Sequence, residues 1–312
     1  MKLGFLTACL KELPLEDLVP WASAQGFETL ELAAWPGKRK SGHRAAHILA
    51  EKFTVEEAER IKDLFAAHGI GISSLAYYDN NLHPRPKKRE KIQEHLYRVI
   101  DAAAMLNVRL VGTFVGARPG GAAKNIKRAG ELFRNVVAYA EDRGVRIMIE
   151  NCPMVGWVQP GLPGNYAYSP ELWEALFNEV PSDNFGLNFD PSHLVWLGIN
   201  YNRAVRDFSD KLFHVHAKDA ELLKEGLYRY GIFSRQLNSG DAHGAGWWRY
   251  RMPGNGQIDW KFFLTTLRSV GYVGPISIEH EDPEYEGSEE RIKEGLCVAR
   301  EHLASCLAPA HV

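Results

Sequence analysis

Short apolar, β-branched runs alternate with amphipathic helical stretches eight times along this chain, and that alternation constrains the fold more than any other feature. The strand-like runs are Lys2–Thr7, Thr29–Ala34, Gly71–Tyr77, Leu110–Val115, Arg146–Asn151, Phe185–Asp190, Leu212–His216 and Pro275–His280. Helical stretches fill the intervals: Leu15–Gln25, Thr54–His68, Lys87–Leu106, Ala123–Arg143, Pro170–Glu179, Tyr201–Lys211, Asp259–Val270 and Ser288–Leu307. Each of these carries apolar residues at three-to-four spacing. Thr54 stands three residues before Glu57 as a capping box, and Ser169, Pro170 and Glu171 supply an N-cap, a first-turn proline and a first-turn acid. Gly26, Gly69, Gly144 and Gly271 sit where helices should stop.

A length of 312 residues allows two average domains or one barrel. Eight βα units with no break in composition predict a single (β/α)8 TIM barrel over residues 1–312, with right-handed crossovers. The competing arrangement is an open doubly wound sheet. Against it, no GxGxxG follows the first strand and no GxxxxGK[ST] occurs anywhere.

Charge and cysteine usage narrow the partners. The net charge is −2 with both signs mixed along the chain, so neither a nucleic-acid nor an acidic-membrane footprint is expected. The four cysteines show no CxxC spacing and no dense framework, which fits a reducing compartment. The apolar run in MKLGFLTACLKEL is too short for a signal sequence, and no run reaches membrane-spanning length, so a cytoplasmic protein is expected.

Three connections are longer than the barrel requires: Trp35–Phe53 with His43 and His47, Met154–Tyr168, and Lys218–Ile258. They follow strands two, five and seven, so all three should crowd one face, as a lidded active site requires. Trp35, Trp157, Trp247 and Trp248 stand at this rim, where flat apolar faces stack on sugar C–H surfaces. Trp196 and Trp260, on helical stretches, read as core. His43 and His47 are either a substrate-binding pair or the exposed side of a helical turn.

The chemistry sits at four successive strand ends. Strand five, RIMIENCP, ends in Glu150; strand six, GLNFDPSH, ends in Asp190 with His193 three further on. Strand seven, LFHVHAKD, places His214 and His216 on one face, and strand eight, ISIEHED, ends in Glu279. A lone strand-end glutamate is more often paired with a basic neighbour or simply solvated. Three carboxylates converging on one barrel mouth are different, because their repulsion and desolvation need a countercharge. A divalent cation supplies it. Three oxygens and one imidazole form a hard ligand set, which favours Mn²⁺, with Mg²⁺, Co²⁺ or Zn²⁺ as alternatives.

These motifs, with PGNGQIDW, resemble the xylose isomerase-like TIM-barrel superfamily, in its sugar isomerase and epimerase branch of ketose 3-epimerases and inosose-processing enzymes. The resemblance covers nearly the whole chain. It implies that Glu150, Asp190, His216 and Glu279 bind the metal, that His193 touches substrate, and that Glu150 and Glu279 exchange protons on opposite faces of a ketose through an enediolate. The ketose 3-epimerases carry an arginine six residues after the metal histidine, where this chain has Leu222. Arg251 or Lys218 is the candidate to replace it, and Trp35, Trp157 and His47 complete the expected substrate contacts. For Lys218, an ion pair with Asp219 is the competing role.

The expected activity is isomerisation or epimerisation of a ketose or related polyhydroxy ketone. The alternatives are a metal-dependent lyase, either a dehydratase or a β-eliminating deglycosidase acting on an inosose or 3-keto-glycoside, and a non-catalytic sugar-binding subunit. Endonuclease IV, a relative within the same superfamily, needs extra histidine ligands after strands three and four. Leu110–Ala117 offers none and His83 lies some way past its strand, so Asp241 and His243, spaced like an Asp-x-His pair of that enzyme's zinc cluster, read as coincidence or as substrate contacts. A homo-oligomer is expected by analogy of fold.

Overall fold

The computed structural model describes residues 1–37, 45–159, 161–233 and 244–308. His43, Asp241 and His243 lie outside the described residues. The strands in chain order are β1 (Lys2–Leu6), β2 (Thr29–Ala33), β3 (Gly71–Asn80), β4 (Leu110–Phe114), β5 (Arg146–Glu150), β6 (Phe185–Phe189) and β7 (Leu212–Ala217), then β8 (Asp219–Leu222), β9 (Trp248–Arg251) and β10 (Pro275–Ile278). β1 to β7 and β10 close into one barrel in which every neighbouring pair is parallel. The fold is thus a single (β/α)8 barrel. β8 and β9 stand apart as a two-stranded antiparallel hairpin.

The barrel strands are nearly all buried, as expected where helices cover the outside and side chains fill the inside. Ten α-helices are described: α1 (Leu15–Ala24), α2 (Val55–Ala67), α3 (Pro86–Met105), α4 (Ala122–Glu141), α5 (Pro170–Glu179), α6 (Pro191–Leu197), α7 (Tyr201–Asp207), α8 (Lys224–Tyr230), α9 (Trp260–Ser269) and α10 (Glu289–Leu307). Thr54 caps α2 by accepting from the Glu57 N–H at 3.3 Å, while Ser169 holds the N-cap of α5 without a side-chain bond. The four glycines read as helix stops all take left-handed φ.

Two expectations need correction. The described residues of Lys218–Ile258 do not form a plain loop: β8 continues almost directly from β7, and β9 lies antiparallel to it, with Asp219 opposite Arg251. Polar residues alternating with apolar ones in DAEL and WRYR carry this pairing, but each run is only four residues long and gives a weak period-two signal. The connection after β6 holds two helices, because Asp190 starts α6 at once as an N-cap, accepting from the Ser192 N–H at 2.8 Å.

The PGNGQIDW segment owes its sequence to Asp219. One carboxylate accepts from the N–H groups of Ala220, Gly254 and Ile258 and from the Trp260 indole, at 2.8 to 3.2 Å. A Cβ on Gly256 would lie 2.1 Å from Asp219 Oδ1, and Gly254 takes φ +97°. Both positions therefore require glycine. This knot ties the return of the β9 strand to the end of β7, and so fixes the side of the mouth that bears His216.

Candidate metal centre

Glu150 is the last residue of β5, Asp190 follows β6, His216 lies in β7, and Glu279 follows β10. One ligand atom from each of the four lies within 4.8 Å of the others, so the structure brings together the quartet expected from the strand ends. A reciprocal clamp sets two of them in register. The Asn151 amide donates to the Asp190 carbonyl at 2.8 Å, and its oxygen accepts from the Asp190 N–H at 2.7 Å. Asn151, next to Glu150, thereby locks the ends of β5 and β6 side by side.

Two atoms of the quartet test whether a cation fits. Asp190 spends Oδ1 on its helix cap, and its Oδ2 is buried with no hydrogen bond. His216 Nδ1 is likewise buried without one, although Glu279 Oε2 lies 3.0 Å away. Buried polar atoms are normally hydrogen-bonded. These two have only ionisable neighbours, His193 and Lys218 at 3.1 and 3.3 Å from Asp190 Oδ2 and Glu279 at 3.0 Å from His216 Nδ1. The chemistry of the donor set agrees: three carboxylates and an imidazole suit a hard or borderline divalent ion.

Sequence reasoning missed what holds His216. Glu31, in the middle of β2, accepts from His216 Nε2 at 2.9 Å and from the Tyr78 hydroxyl at 2.7 Å. With its Nε2 proton committed to Glu31, the ring presents Nδ1 to the quartet, as carboxylate–histidine–metal arrangements do. Burial works to raise the Glu31 pKa, but the imidazoles of His216 and His214 and its two hydrogen bonds bring it down to about 2. A signal was present, since Glu31 is the one charge in the apolar run TLELA. His214 is different: buried, bonded to Asn188 and Ser73, and lowered to about 4 by desolvation, it is a neutral core histidine.

The remaining charges balance the carboxylates. Burial raises the Glu150 pKa, opposed by His193, whose Nε2 lies 2.9 Å from Glu150 Oε1 and 3.1 Å from Asp190 Oδ2. Burial would also raise Glu279, but Lys218 and His216 hold it well below the usual carboxylate range. Lys218 donates to Glu279 and Glu281 at 2.8 and 3.0 Å and lies 3.3 Å from Asp190 Oδ2 as an ion pair, rather than pairing with Asp219. Glu281 was not foreseen, though its place two residues after Glu279 in EHED was legible.

Beside the quartet opens a cavity of about 240 Å³. Glu150, Lys218, Glu279 and Glu281 line one side; Leu6, Ala8, Cys9, Trp35, Tyr78 and Phe114 line another, with Met154 and Trp157 from the connection after β5. Trp157 meets Phe114 edge to face at 5.5 Å.

A family model described as the xylose isomerase-like TIM barrel matches residues 19–302. The chain belongs to this family. Among its relatives, the uncharacterised protein YfiH of Bacillus subtilis is 26% identical over 90% of this chain and 93% of its own length. Two solved barrels share the fold. D-psicose 3-epimerase of Clostridium cellulolyticum H10, determined with D-tagatose, aligns with TM-score 0.70 and 16% identity over 99% of this chain and the whole of that one. The IolI protein, determined with a zinc atom, aligns with TM-score 0.67 and 19% identity over 98% and 96%.

Not every expected contact reaches the mouth of this xylose isomerase-like barrel. Arg251 is held away from the cavity lining by Glu284, with bonds of 2.6 and 2.8 Å, and by Asp282 at 3.3 Å. His47 Nε2 donates to the Leu13 carbonyl, 3.0 Å away, and the residue lines a separate surface groove with Lys52 and Arg60. His193 lies wholly buried behind Glu150, with Tyr250 on its other nitrogen at 2.6 Å. Trp247 and Trp248 form a small aromatic cluster with Tyr250, and Trp248 stacks on Trp196 at 4.5 Å. They pin the hairpin to α6 and are not part of the lining. Among the described residues, no helix is long and apolar enough to cross a membrane.

Proposed function

We propose that the protein is a divalent-metal-dependent isomerase or epimerase of a ketose or related polyhydroxy ketone. The observation that carries this reading is that Glu150 and Glu279 belong to the same four-donor cluster and also line the same cavity. Glu150, Asp190, His216 and Glu279 would hold the ion. When bound, it supplies Lewis acidity to a carbonyl and its neighbouring hydroxyl, which acidifies the C–H between them.

The side chains of this chain do the rest. Glu150 and Glu279 project from β5 and β10, on either side of β6 and β7 in the barrel order, so they reach a guest from different sides. One removes the proton and the other returns it, which inverts the carbon. His193 steadies Glu150 from behind at 2.9 Å. Trp35, Tyr78, Phe114 and Trp157 give the apolar face on which the C–H side of a sugar rests and which keeps bulk water from the reacting carbon. The D-psicose 3-epimerase likeness supports the substrate class, and the zinc-bound IolI structure supports a divalent ion.

Incubating ketoses, inososes and 3-keto-glycosides in D₂O with Mn²⁺ tests the reading by NMR. Deuterium should enter at the carbon next to the carbonyl with the wild type, and not with Glu150→Gln or Glu279→Gln. Release of water or an aglycone would make the enzyme a lyase using the same carbon acid. A ligand that binds with no exchange would make it a sugar-binding subunit.

A further inference from the structure

Lys218 lies two residues after His216, and its side chain is 2% exposed. Its ammonium sits 2.8 Å from Glu279 Oε2, 3.3 Å from Asp190 Oδ2 and 3.0 Å from Glu281 Oε2, and 4.4 Å from the centre of the Tyr250 ring. Asp190 and Glu279 are both members of the quartet, and Asp190 Oδ2 is buried with only the charged or ionisable groups of Lys218 and His193 beside it. A cation gripped by those oxygens and an ammonium touching them would be close neighbours of like charge, in a buried site where salt screens poorly.

Glu281 has a different standing. It lines the cavity but lies outside the quartet, and the Tyr250 ring gives the ammonium a second favourable surface. A lysine side chain has enough rotatable bonds to leave two carboxylates while keeping the third.

We propose, on the reading of the mouth as a divalent-ion site, that Lys218 is the resident counter-ion of the quartet in the ion-free protein. Glu281 and the Tyr250 face form the berth to which its ammonium withdraws when an ion enters. Ion loading then does two things at once. It exchanges an ammonium for a Lewis acid at Asp190 and Glu279, and it sets the displaced ammonium on the cavity wall, where a hydroxyl of the guest can accept a hydrogen bond from it. The three-carboxylate arrangement around Lys218 follows directly: two oxygens to be surrendered and one to be kept.

Isothermal titration of Mn²⁺ into chelator-stripped protein tests this without any turnover. Lys218→Met should bind Mn²⁺ roughly 10- to 100-fold more tightly than the wild type, because no ammonium has to be moved, and the stripped variant should melt at a lower temperature. Glu281→Gln should bind more weakly, since the berth is gone. In the Lys218→Met, Glu281→Gln double variant, the Glu281 effect should largely vanish. Should the stripped Lys218→Met protein fail to fold, Lys218→Gln is read in the same way.

Equal or weaker Mn²⁺ binding by both Lys218 variants overturns the displacement. So does a Glu281→Gln loss that persists undiminished in the double variant, which would mark Glu281 as a general negative charge and not a berth. If neither the wild type nor any variant binds a divalent ion, the metal reading itself fails. Tight wild-type binding with no gain in the Lys218 variants sinks the displacement alone.

Discussion

The two halves of the barrel mouth are built from different materials. The ends of β1 to β4 contribute Leu6, Ala8, Cys9, Trp35, Tyr78 and Phe114, while the ends of β5, β6, β7 and β10 contribute Glu150, Asp190, His216, Lys218, Glu279 and Glu281. One half can grip charge and move protons; the other can only shape and dry the space. A guest with one polar edge and one C–H face is oriented by that contrast alone. Glu31 is the exception that joins the halves, a carboxylate from the apolar side that reaches across the barrel interior to His216.

The largest effects should come from the charged half. Glu150→Gln and Glu279→Gln should each lower the rate of substrate deuterium exchange by roughly 10²- to 10⁴-fold, with far-ultraviolet circular dichroism unchanged. The double variant should also lose its ion, which metal analysis of untagged wild-type protein should find at about one per chain. Retention of full exchange by either single variant would mean that the proton is moved by another group.

Glu31→Gln comes next, because it strikes the link between halves. The amide keeps the shape of the side chain but gives up the charge that holds the Nε2 proton of His216, so Nδ1 is no longer reliably offered to the quartet. Metal affinity should fall by about 10- to 100-fold, read by competition with a chelating dye. Unchanged affinity would reduce Glu31 to a buried partner of Tyr78.

The two halves were not equally legible in the sequence. The charged half was visible because each strand ends in a polar residue after an apolar run, so Glu150, Asp190, His216 and Glu279 stand out by position, as did the eight βα units that carry them. The apolar half gave little signal, since Tyr78 and Phe114 look like any core aromatic, and Trp35 was found only because it ends its run. Glu31 was missed for a related reason: its functional direction depends on a contact with a residue 185 positions away. Arg251 and the Trp247–Trp248 pair were misplaced because the hairpin was invisible. Once β8 and β9 pair, alternate residues are turned toward α6 or toward Asp282 and Glu284 and away from the guest.

Asp219→Asn sharpens the distinction between placing the mouth and acting in it. The amide keeps one acceptor oxygen where the carboxylate used both, so the N–H of Gly254 and the Trp260 indole, which bond Oδ2, compete with those bonded to Oδ1. A loss of about 1–3 kcal/mol is expected, seen as a lower Tm, with metal stoichiometry retained.

The smallest effect separates two kinds of tryptophan. Trp157 is 36% exposed, on the apolar side of the cavity, with Phe114 as its ring partner. Trp157→Ala should leave Tm nearly unchanged and raise KM by several-fold, the worth of about 1 kcal/mol of lost stacking, with kcat little affected because no proton passes through it. Trp248, 8% exposed and stacked on Trp196, should show the reverse. Its removal costs about 3–5 kcal/mol of packing and lowers Tm, while KM measured well below that temperature stays near the wild-type value. If the Trp248 variant shifted KM and the Trp157 variant shifted Tm, the wall of the cavity would have to be redrawn on the hairpin side. The contrast between a proton-moving half and a shaping half would then place the shaping surface over β7 to β9 and not over β1 to β4.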